Sequence, residues 1–451
     1  MKKTQLLHTA YAARAAIFAG TVLASSSVLP GAAAAQSNAA LPSGESLETP
    51  SEIERGFPQL PADFDRREPA EPEALLRIVL EGYTGVVFQD NVYRAPSDRK
   101  SDLLWIGAPR ARLIHDGPEV DAEIAVEAEI GRYFDETRND YEDFVLTAGL
   151  VRGDLASDFM RLRGSYGRSH QSIGADIDTP DREAAEVTEF WRGELLFDAA
   201  YRAGAFLFAP EARARNFDYR DSRRLDGTRI DNQGKSRTEI DAVPRLGWGI
   251  QPDLFLLVDP GVNWRLYDED FSGARGFDRD SYGLRPRVGA RYGTDTSEFA
   301  AVSTIGLAVQ DYQDDRLKTI TTLGFLGVFD WRFLPQQALR LEVERDIGET
   351  TLAGASGTIS TRGRVSYSYA VTEKLDVRAA AEFDNREFVV NSRIRPDDRT
   401  DEIIRVGADV TYRLTKVGFV GLGLDYVDRD SNDPTVRNDG FEASARVGAR
   451  F

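Results

Sequence analysis

Read back from the C-terminus, Phe441, Ala443, Ala445, Val447, Ala449 and Phe451 take one alternating phase, and Glu442, Ser444, Arg446, Gly448 and Arg450 take the other. Successive side chains of a strand point to opposite faces, so this segment predicts a strand with one apolar and one charged face. The pattern recurs upstream. Ile404, Val406, Ala408, Val410 and Tyr412 oppose Arg405, Gly407, Asp409, Thr411 and Arg413. Leu375, Val377, Ala379, Ala381 and Phe383 oppose Asp376, Arg378, Glu382 and Asp384. Tyr282, Leu284, Pro286, Val288 and Ala290 oppose Arg285, Arg287 and Arg291. Val120, Ala122, Ile124, Val126, Ala128 and Ile130 oppose Asp121, Glu123, Glu127 and Glu129.

A soluble sandwich also alternates, but its apolar face packs a dry core with large side chains. Here Ala and Gly are common on the apolar face and the strands run for about ten residues, as in a transmembrane barrel. Open sheet edges cannot exist in hydrocarbon, so the sheet must close. Short connections fall near residues 115–118, 152–154, 202–204, 251–253, 294–296, 334–336, 372–374 and 414–416. Long polar ones fall near 89–101, 133–141, 168–185, 216–237, 267–279, 310–317, 345–358, 384–401 and 427–439. Short periplasmic turns and long outer loops are the outer-membrane pattern. The expectation is an all-β fold: a closed antiparallel transmembrane β-barrel over residues 74–451, with about 18 strands. Weak patterning at 187–208 and 298–309 leaves 16 as the other parse.

Lys2, Lys3 and Arg14, the apolar stretch Ala15–Ala24 and Ala33-Ala34-Ala35 form a signal-peptide pattern over residues 1–35, cut near Ala35. The apolar run is shorter than the roughly 20 residues needed to span a bilayer. Loss of those three cations takes the formal charge from −18 to −21. Residues 36–73 hold six Pro and nine acidic residues against three Arg, with no sustained periodicity, and are expected to be a largely disordered periplasmic tail. Such a tail acts as a tether, contacts a partner, or enters the barrel. The stretch is too short for the plug of a TonB-dependent transporter. The acidic balance argues against nucleic acid, which requires clustered cations. The absence of Cys excludes thiolate metal sites and cysteine nucleophiles.

The polar phase supplies the candidate pore lining: Asp121, Glu123, Glu127, Glu129, Arg161, Arg163, Glu211, Arg213, Arg215, Arg285, Arg287, Arg291, Arg340, Glu342, Glu344, Arg364, Arg378, Glu382, Arg405, Asp409 and Arg446. Acidic and basic columns facing across a wet lumen would set a field that orients polar solutes. Arg–carboxylate pairs that zip the interior shut are the competing arrangement. Tyr83, Trp105, Phe144, Trp191, Trp248, Trp264, Trp331, Tyr412 and Tyr426 cluster near strand ends, as an interfacial girdle would. Pro109, Pro210, Pro244, Pro260 and Pro286 sit inside strands and predict bends or bulges.

Gly82-Tyr83, Asp90-Asn91-Val92-Tyr93-Arg94, Ser101-Asp102 and Pro109 resemble the opening hairpin of the putative β-barrel porin type 2 family of proteobacterial outer membranes. The motif covers about 28 residues and the strand pattern about 375. The resemblance implies a porin-like outer-membrane barrel. It implies no catalytic residues, and it brings an association of several relatives with exopolysaccharide or capsule loci. The terminal Phe451 resembles the signal read by the barrel assembly machinery.

Asp428-Arg429-Asp430-Ser431-Asn432-Asp433, with Asp439 at the twelfth position, only faintly matches a calcium-loop spacing, so no metal or cofactor is expected. His170 beside Ser169 is no triad by adjacency alone, so no enzyme is expected. The reading is a barrel of the Gram-negative outer membrane that passes or exports a hydrophilic solute, with exopolysaccharide as the implied candidate. The alternative is a structural or surface-interaction barrel with a plugged lumen. Expected partners are outer-membrane lipid, lipopolysaccharide, the assembly machinery and polysaccharide-export components.

Overall fold

The computed structural model describes residues 76–153, 158–268, 276–293, 297–391, 393 and 398–451. The expected signal peptide, the cut near Ala35 and the 36–73 tail lie outside the described residues. Among the described residues twenty strands run in order: β1 (Leu76–Gln89), β2 (Asp102–Asp116), β3 (Val120–Tyr133), β4 (Tyr141–Gly153), β5 (Phe159–Gln171), β6 (Thr188–Ala203), β7 (Phe206–Tyr219), β8 (Ser222–Arg223), β9 (Arg229–Ile230), β10 (Arg237–Gln251), β11 (Leu254–Tyr267), β12 (Ser281–Tyr292), β13 (Phe299–Tyr312), β14 (Ile320–Leu334), β15 (Gln337–Gly348), β16 (Ala355–Ala370), β17 (Leu375–Val390), β18 (Thr400–Arg413), β19 (Gly418–Ser431) and β20 (Asn438–Arg450).

Eighteen form one antiparallel sheet, each beside its neighbour in sequence, and β1 pairs with β20 to close it. The pair β8–β9 is a small hairpin within a loop. Strands at 187–208 and 298–309 decide for 18 over 16. The alternation persists for 12 to 16 residues in the barrel strands, somewhat longer than expected. Both ends of the barrel chain lie at the short-turn end, where Leu80 and Phe451 exchange backbone hydrogen bonds of 3.1 and 2.7 Å.

The apolar phase faces out. Ile78 is 70% exposed, Leu422 63% and Trp248 61%, values that a soluble protein would bury. Trp105, Phe144, Trp264 and Tyr426 ring the loop end, whereas Trp248, Trp331 and Tyr412 ring the turn end. Trp191 stacks on Tyr166 at 5.2 Å. Tyr83 departs from the girdle reading: it takes the inner phase of β1, and its hydroxyl donates to Glu129 at 3.5 Å.

The five strand prolines produce no bulge. The register of each affected ladder is the same on both sides of the proline, and the shifts that do occur lie at strand ends. In the ladders that stay intact, Pro210 faces Pro244, Pro260 faces Pro286, and Pro109 faces Gly82. A proline can occupy such a rung only if it is a non-hydrogen-bonded one, so its missing N–H points at the other neighbour. That other ladder is where rungs drop out: between Asp198 and Tyr201 of β6, Ala242 and Leu246 of β10, Leu284 and Arg287 of β12, and Gly107 and Arg110 of β2. Four prolines thus line up at one height on β7, β10, β11 and β12. Pro244 and Pro260 share a single gap, which removes two bonds from one place and leaves the rungs on either side intact.

Candidate functional site: the inner wall and its outer mouth

The phase opposite the exposed apolar residues forms the inner wall, and its charges are paired along it. Arg112 forks onto Glu123 with two 2.9 Å bonds, and Arg110 meets Glu127 at 2.8 Å and Glu81 at 3.2 Å. Glu123 and Glu127 of β3 are therefore paired by β2. Glu129 accepts the Tyr141 hydroxyl at 2.6 Å. Arg161 binds Asp198 through bonds of 2.8 and 2.9 Å. Arg213 lies 3.8 Å from Glu194, and Arg215 lies 2.7 Å from the fully buried Glu239. Arg340 meets Glu342 at 2.6 Å, Arg405 meets Glu382 at 2.5 Å, and Arg446 meets Asp409 at 2.5 Å. Glu344 is buried on the rung of Arg362, and Arg378 shares a rung with Asp409. Asp121, Arg291 and Arg364 take the same phase, the first two near the turn end. Arg163 is exposed. Glu211 lines a small cavity with Arg161, Asp198, Pro210 and Arg245.

Opposed columns across the lumen are thus the wrong picture. The charges on β3 and β5 are legible in the alternation, but their partners, Arg110 and Arg112 on β2 and Asp198 on β6, are set by the register between strands, and these neighbours quench the columns. Most pairs bridge adjacent strands and run with the wall. A few reach further: Arg285 and Arg287 of β12 cross to Asp346 of β15 at 3.1 and 3.0 Å, and Arg265 of β11 approaches Glu349 at 3.7 Å. Arg245 and Asp259, both buried, make three bonds of 2.8 to 3.1 Å at the gap left by Pro244 and Pro260, so a side-chain staple stands where backbone bonds are missing.

At the long-loop end the 172–187 connection, which leaves β5 and enters β6, fastens to loops around the rim. Ile173 packs with Val92, Tyr93, Leu104, Tyr133 and Tyr141. Arg182 donates to the carbonyls of Tyr93, Arg94 and Thr435. Arg138 donates to the Ala184 carbonyl. Asp176 pairs with Lys235 at 2.6 Å. Burial pushes the Asp176 carboxyl up, but the Lys235 ammonium outweighs it and holds the group below its ordinary value. Burial likewise opposes the Lys235 charge, and Asp176 more than offsets it, so Lys235 is raised.

The far anchor is the tightest. The Asp178 carboxylate accepts from the Thr350 hydroxyl at 2.8 Å and from the Thr351 amide and hydroxyl at 2.6 and 2.8 Å. Arg399 donates to the carbonyls of Asp178 and Ile177 at 2.7 and 2.6 Å and grips Asp401 at 3.0 and 2.8 Å. Asp401 also accepts from Arg429 at 2.7 Å and Ser431 at 2.6 Å. Arg399 is 1% exposed and Asp401 0%. Anchors lie on six connections of this end, from those beside β1–β4 and β7 to those of β15–β16, β17–β18 and β19–β20, so the loop reaches across the mouth.

His170 roots this loop. Its Nδ1 is 2.9 Å from Asp143, its Nε2 is 3.3 Å from the Ser172 hydroxyl, and its ring stacks on Tyr141 at 3.9 Å. Ser169 is not the partner. The calcium-like stretch is strand and turn: Asp428 and Asp430 take the outer phase of β19, and Asp433 accepts from Thr435. Arg99 pairs with Asp439. Among the described residues no group of three or more His, Asp or Glu is placed to hold a metal. The mouth anchors were missed by sequence reading because Arg399, Asp178 and Thr350 are far apart in the chain and belong to no alternating segment. The only signal was length, since 172–187 is long for a polar connection.

The family model described as Putative beta-barrel porin 2 matches residues 82–451. Among solved structures, OpdO of Pseudomonas aeruginosa is 14% identical, covers 83% of this chain and 97% of its own, and has a TM-score of 0.42. The copper transporter OprC is 11% identical over 84% of this chain and 82% of its own, with a TM-score of 0.43. OccAB4 of Acinetobacter baumannii is 11% identical over 84% and 99%, with a TM-score of 0.41. No curated protein sequence matches the chain.

Proposed function

The chain belongs to the Putative beta-barrel porin 2 family, a porin-like outer-membrane barrel, and from that premise we propose that it passes a hydrophilic solute through its lumen under the 172–187 loop. The observation that carries this reading is the two-faced wall: exposed Leu, Val and Trp outside, arginine–carboxylate pairs inside. Paired charges give a polar wall that hydrogen-bonds neutral polar solutes without a net field. Arg161, Arg213, Glu342, Arg378 and the other inner-phase residues would line the path. Exopolysaccharide remains the candidate solute through the family resemblance alone, and export components would be its partners. No bond-making chemistry is assigned.

In this reading the 1–35 segment directs secretion and the short-turn end faces the periplasm. The loop end contacts lipopolysaccharide, and Phe451, 75% exposed on the outer phase, is the assembly signal. Planar-bilayer recording of the mature chain tests the lumen. Discrete conductance steps that grow several-fold in Arg399→Ala are expected. A second reading, a surface-interaction barrel closed at its mouth, is favoured by the anchoring of the 172–187 loop around the rim. Silence of correctly folded wild type and Arg399→Ala alike would select it.

A further inference from the structure

Most arginines of the inner wall are held by a carboxylate. Two exposed arginines of the inner phase form no ion pair among the described residues, Arg163 of β5 and Arg364 of β16. Their surroundings differ. Arg364 stands between two acids, with Glu342 on its β15 rung and Glu382 on its β17 rung. Arg163 has Gly149 on its β4 rung and Leu196 on its β6 rung. The carboxylates around it are taken. Glu123, on the rung beyond Gly149, forks with Arg112 through two 2.9 Å bonds. On β6, Asp198 binds Arg161 at 2.8 and 2.9 Å, and Glu194 binds Arg192 at 3.0 Å. The floor beside Arg163 is open: a Cβ built on Gly149 would meet no atom within 4 Å. One inner rung closer to the loops, Thr147 faces Ser165, both half-buried, and the pair adds two hydroxyls.

We propose that Arg163 is an anion-binding station of the lumen, which takes the carboxylate, sulfate or phosphate group of a hydroxylated solute. The proposal rests on the reading of passage through the lumen and gives the paired wall one cationic point. A guanidinium stays charged at any working pH, and its planar fork meets two oxygens of such a group at once. Arg161, one inner position away on the same strand and face, shows the fork already filled, with both bonds spent on Asp198. Arg163 has Leu196 where Arg161 has Asp198, so among the described residues its fork is left for the solute. Thr147 and Ser165 lie about 6.6 Å along the strands, close enough to meet the hydroxyls of a molecule whose acid group Arg163 holds. The glycine at 149 leaves room for that molecule against the wall. The exposure of Arg163 keeps the grip weak, and conduction requires a site that also releases.

The chain has no Cys, so a single introduced thiol reports the local charge. Gly149→Cys in the full mature barrel is modified with an anionic and with a cationic methanethiosulfonate, each rate being divided by that on a free thiol. At low ionic strength, where screening is weakest, the anionic reagent should lead, and Arg163→Gln should cut the anionic-to-cationic ratio about fivefold. Ser165→Cys serves as the reporter should Gly149→Cys fail to fold by heat-modifiable gel mobility. Ala380→Cys, on the inner phase of β17, should keep its ratio in Arg163→Gln. Inorganic phosphate should slow the anionic reagent at Gly149→Cys about twofold more than chloride of equal ionic strength, and Arg163→Gln should abolish that difference. A ratio that Arg163→Gln leaves unchanged, an equal fall at Ala380→Cys, or phosphate no better than chloride would overturn the proposal while the lumen stands. Failure of both reagents to reach either thiol of a folded barrel would sink passage through the lumen, and the proposal with it.

Discussion

The wall and the mouth of this barrel are both rich in buried Arg–carboxylate pairs, yet the pairs do different work. In the wall, cooperative backbone ladders hold the strands and the side chains add to them; even where Pro244 and Pro260 remove two bonds, the register is unchanged and Arg245–Asp259 spans the gap. At the mouth, among the described residues, no ladder runs across the rim, and a single antiparallel bridge, Ala184 with Arg224, ties the 172–187 loop to the connection after β7. The rest of the loop is held by carbonyls and carboxylates bonded to a few side chains, chiefly Arg399, Arg182, Thr350 and Thr351. A structure held by ladders fails as a unit, whereas one held by point contacts opens locally.

The largest test of that difference is Arg399→Ala. It strips a partner from the fully buried Asp401 and removes the donors to Ile177 and Asp178. Asp401 keeps Arg429 and Ser431, so the loss falls short of the roughly 3–5 kcal/mol of a fully orphaned buried charge. Amide exchange over residues 172–187 should accelerate by about one to two orders of magnitude, while the β10–β12 amides stay unchanged. Uniform acceleration throughout the barrel would erase the distinction between wall and mouth. Arg399→Lys should recover little, because one ammonium cannot grip Asp401 and two carbonyls in the same fork.

A smaller effect comes from pH. Asp176 is lowered by Lys235, so its contribution is present above the ordinary Asp value of about 4 and is lost as pH falls through the lower folded value. Lys235 is raised, so its contribution is complete below about 10.4 and is lost as pH climbs through the higher folded value. A fluorophore on the loop near Pro180 should report a docked state that is flat between about pH 5 and pH 10 and loosens at both extremes. Lys235→Met should abolish the alkaline limb and reverse the acid one, because without the ammonium burial raises the Asp176 carboxyl and its ionisation then weakens docking as pH rises. Persistence of either limb in that variant would assign it to another group.

The wall was far more legible in the sequence than the mouth, and the reason is physical. A strand has period 2, so Phe441 to Phe451 or Val120 to Ile130 announce both faces without knowledge of any neighbour. Strand count, turn lengths and inner phase follow from that local rule. Which inner charges meet depends on register between strands, which the rule does not supply, so the pairing of Arg110 and Arg112 with Glu127 and Glu123 is invisible to it. The mouth depends on contacts such as Asp178 with Thr350, separated by 172 residues, for which no local periodicity exists. His170 shows the same limit: its neighbour in sequence, Ser169, is less informative than Asp143, 27 residues away.

The finest test concerns the proline row. Pro210 presents no N–H to the Ala199 carbonyl, so Pro210→Ala should restore one ladder bond between β6 and β7. A net hydrogen bond is worth about 0.5–1.5 kcal/mol. Loss of the proline's restriction of the unfolded chain gives back about 0.4–1 kcal/mol. The balance runs from about −0.5 to about +1 kcal/mol and is centred on a small gain, visible as a slight upward shift of the urea midpoint of the vesicle-folded barrel. Pro244→Ala restores one bond to the Pro260 carbonyl, and the Pro244→Ala, Pro260→Ala pair restores both, so the double variant should gain about twice the single. If any of these changes instead lowers stability by more than about 1 kcal/mol, the ladder is not what holds the wall at mid-height, and the Arg245–Asp259 staple carries that role.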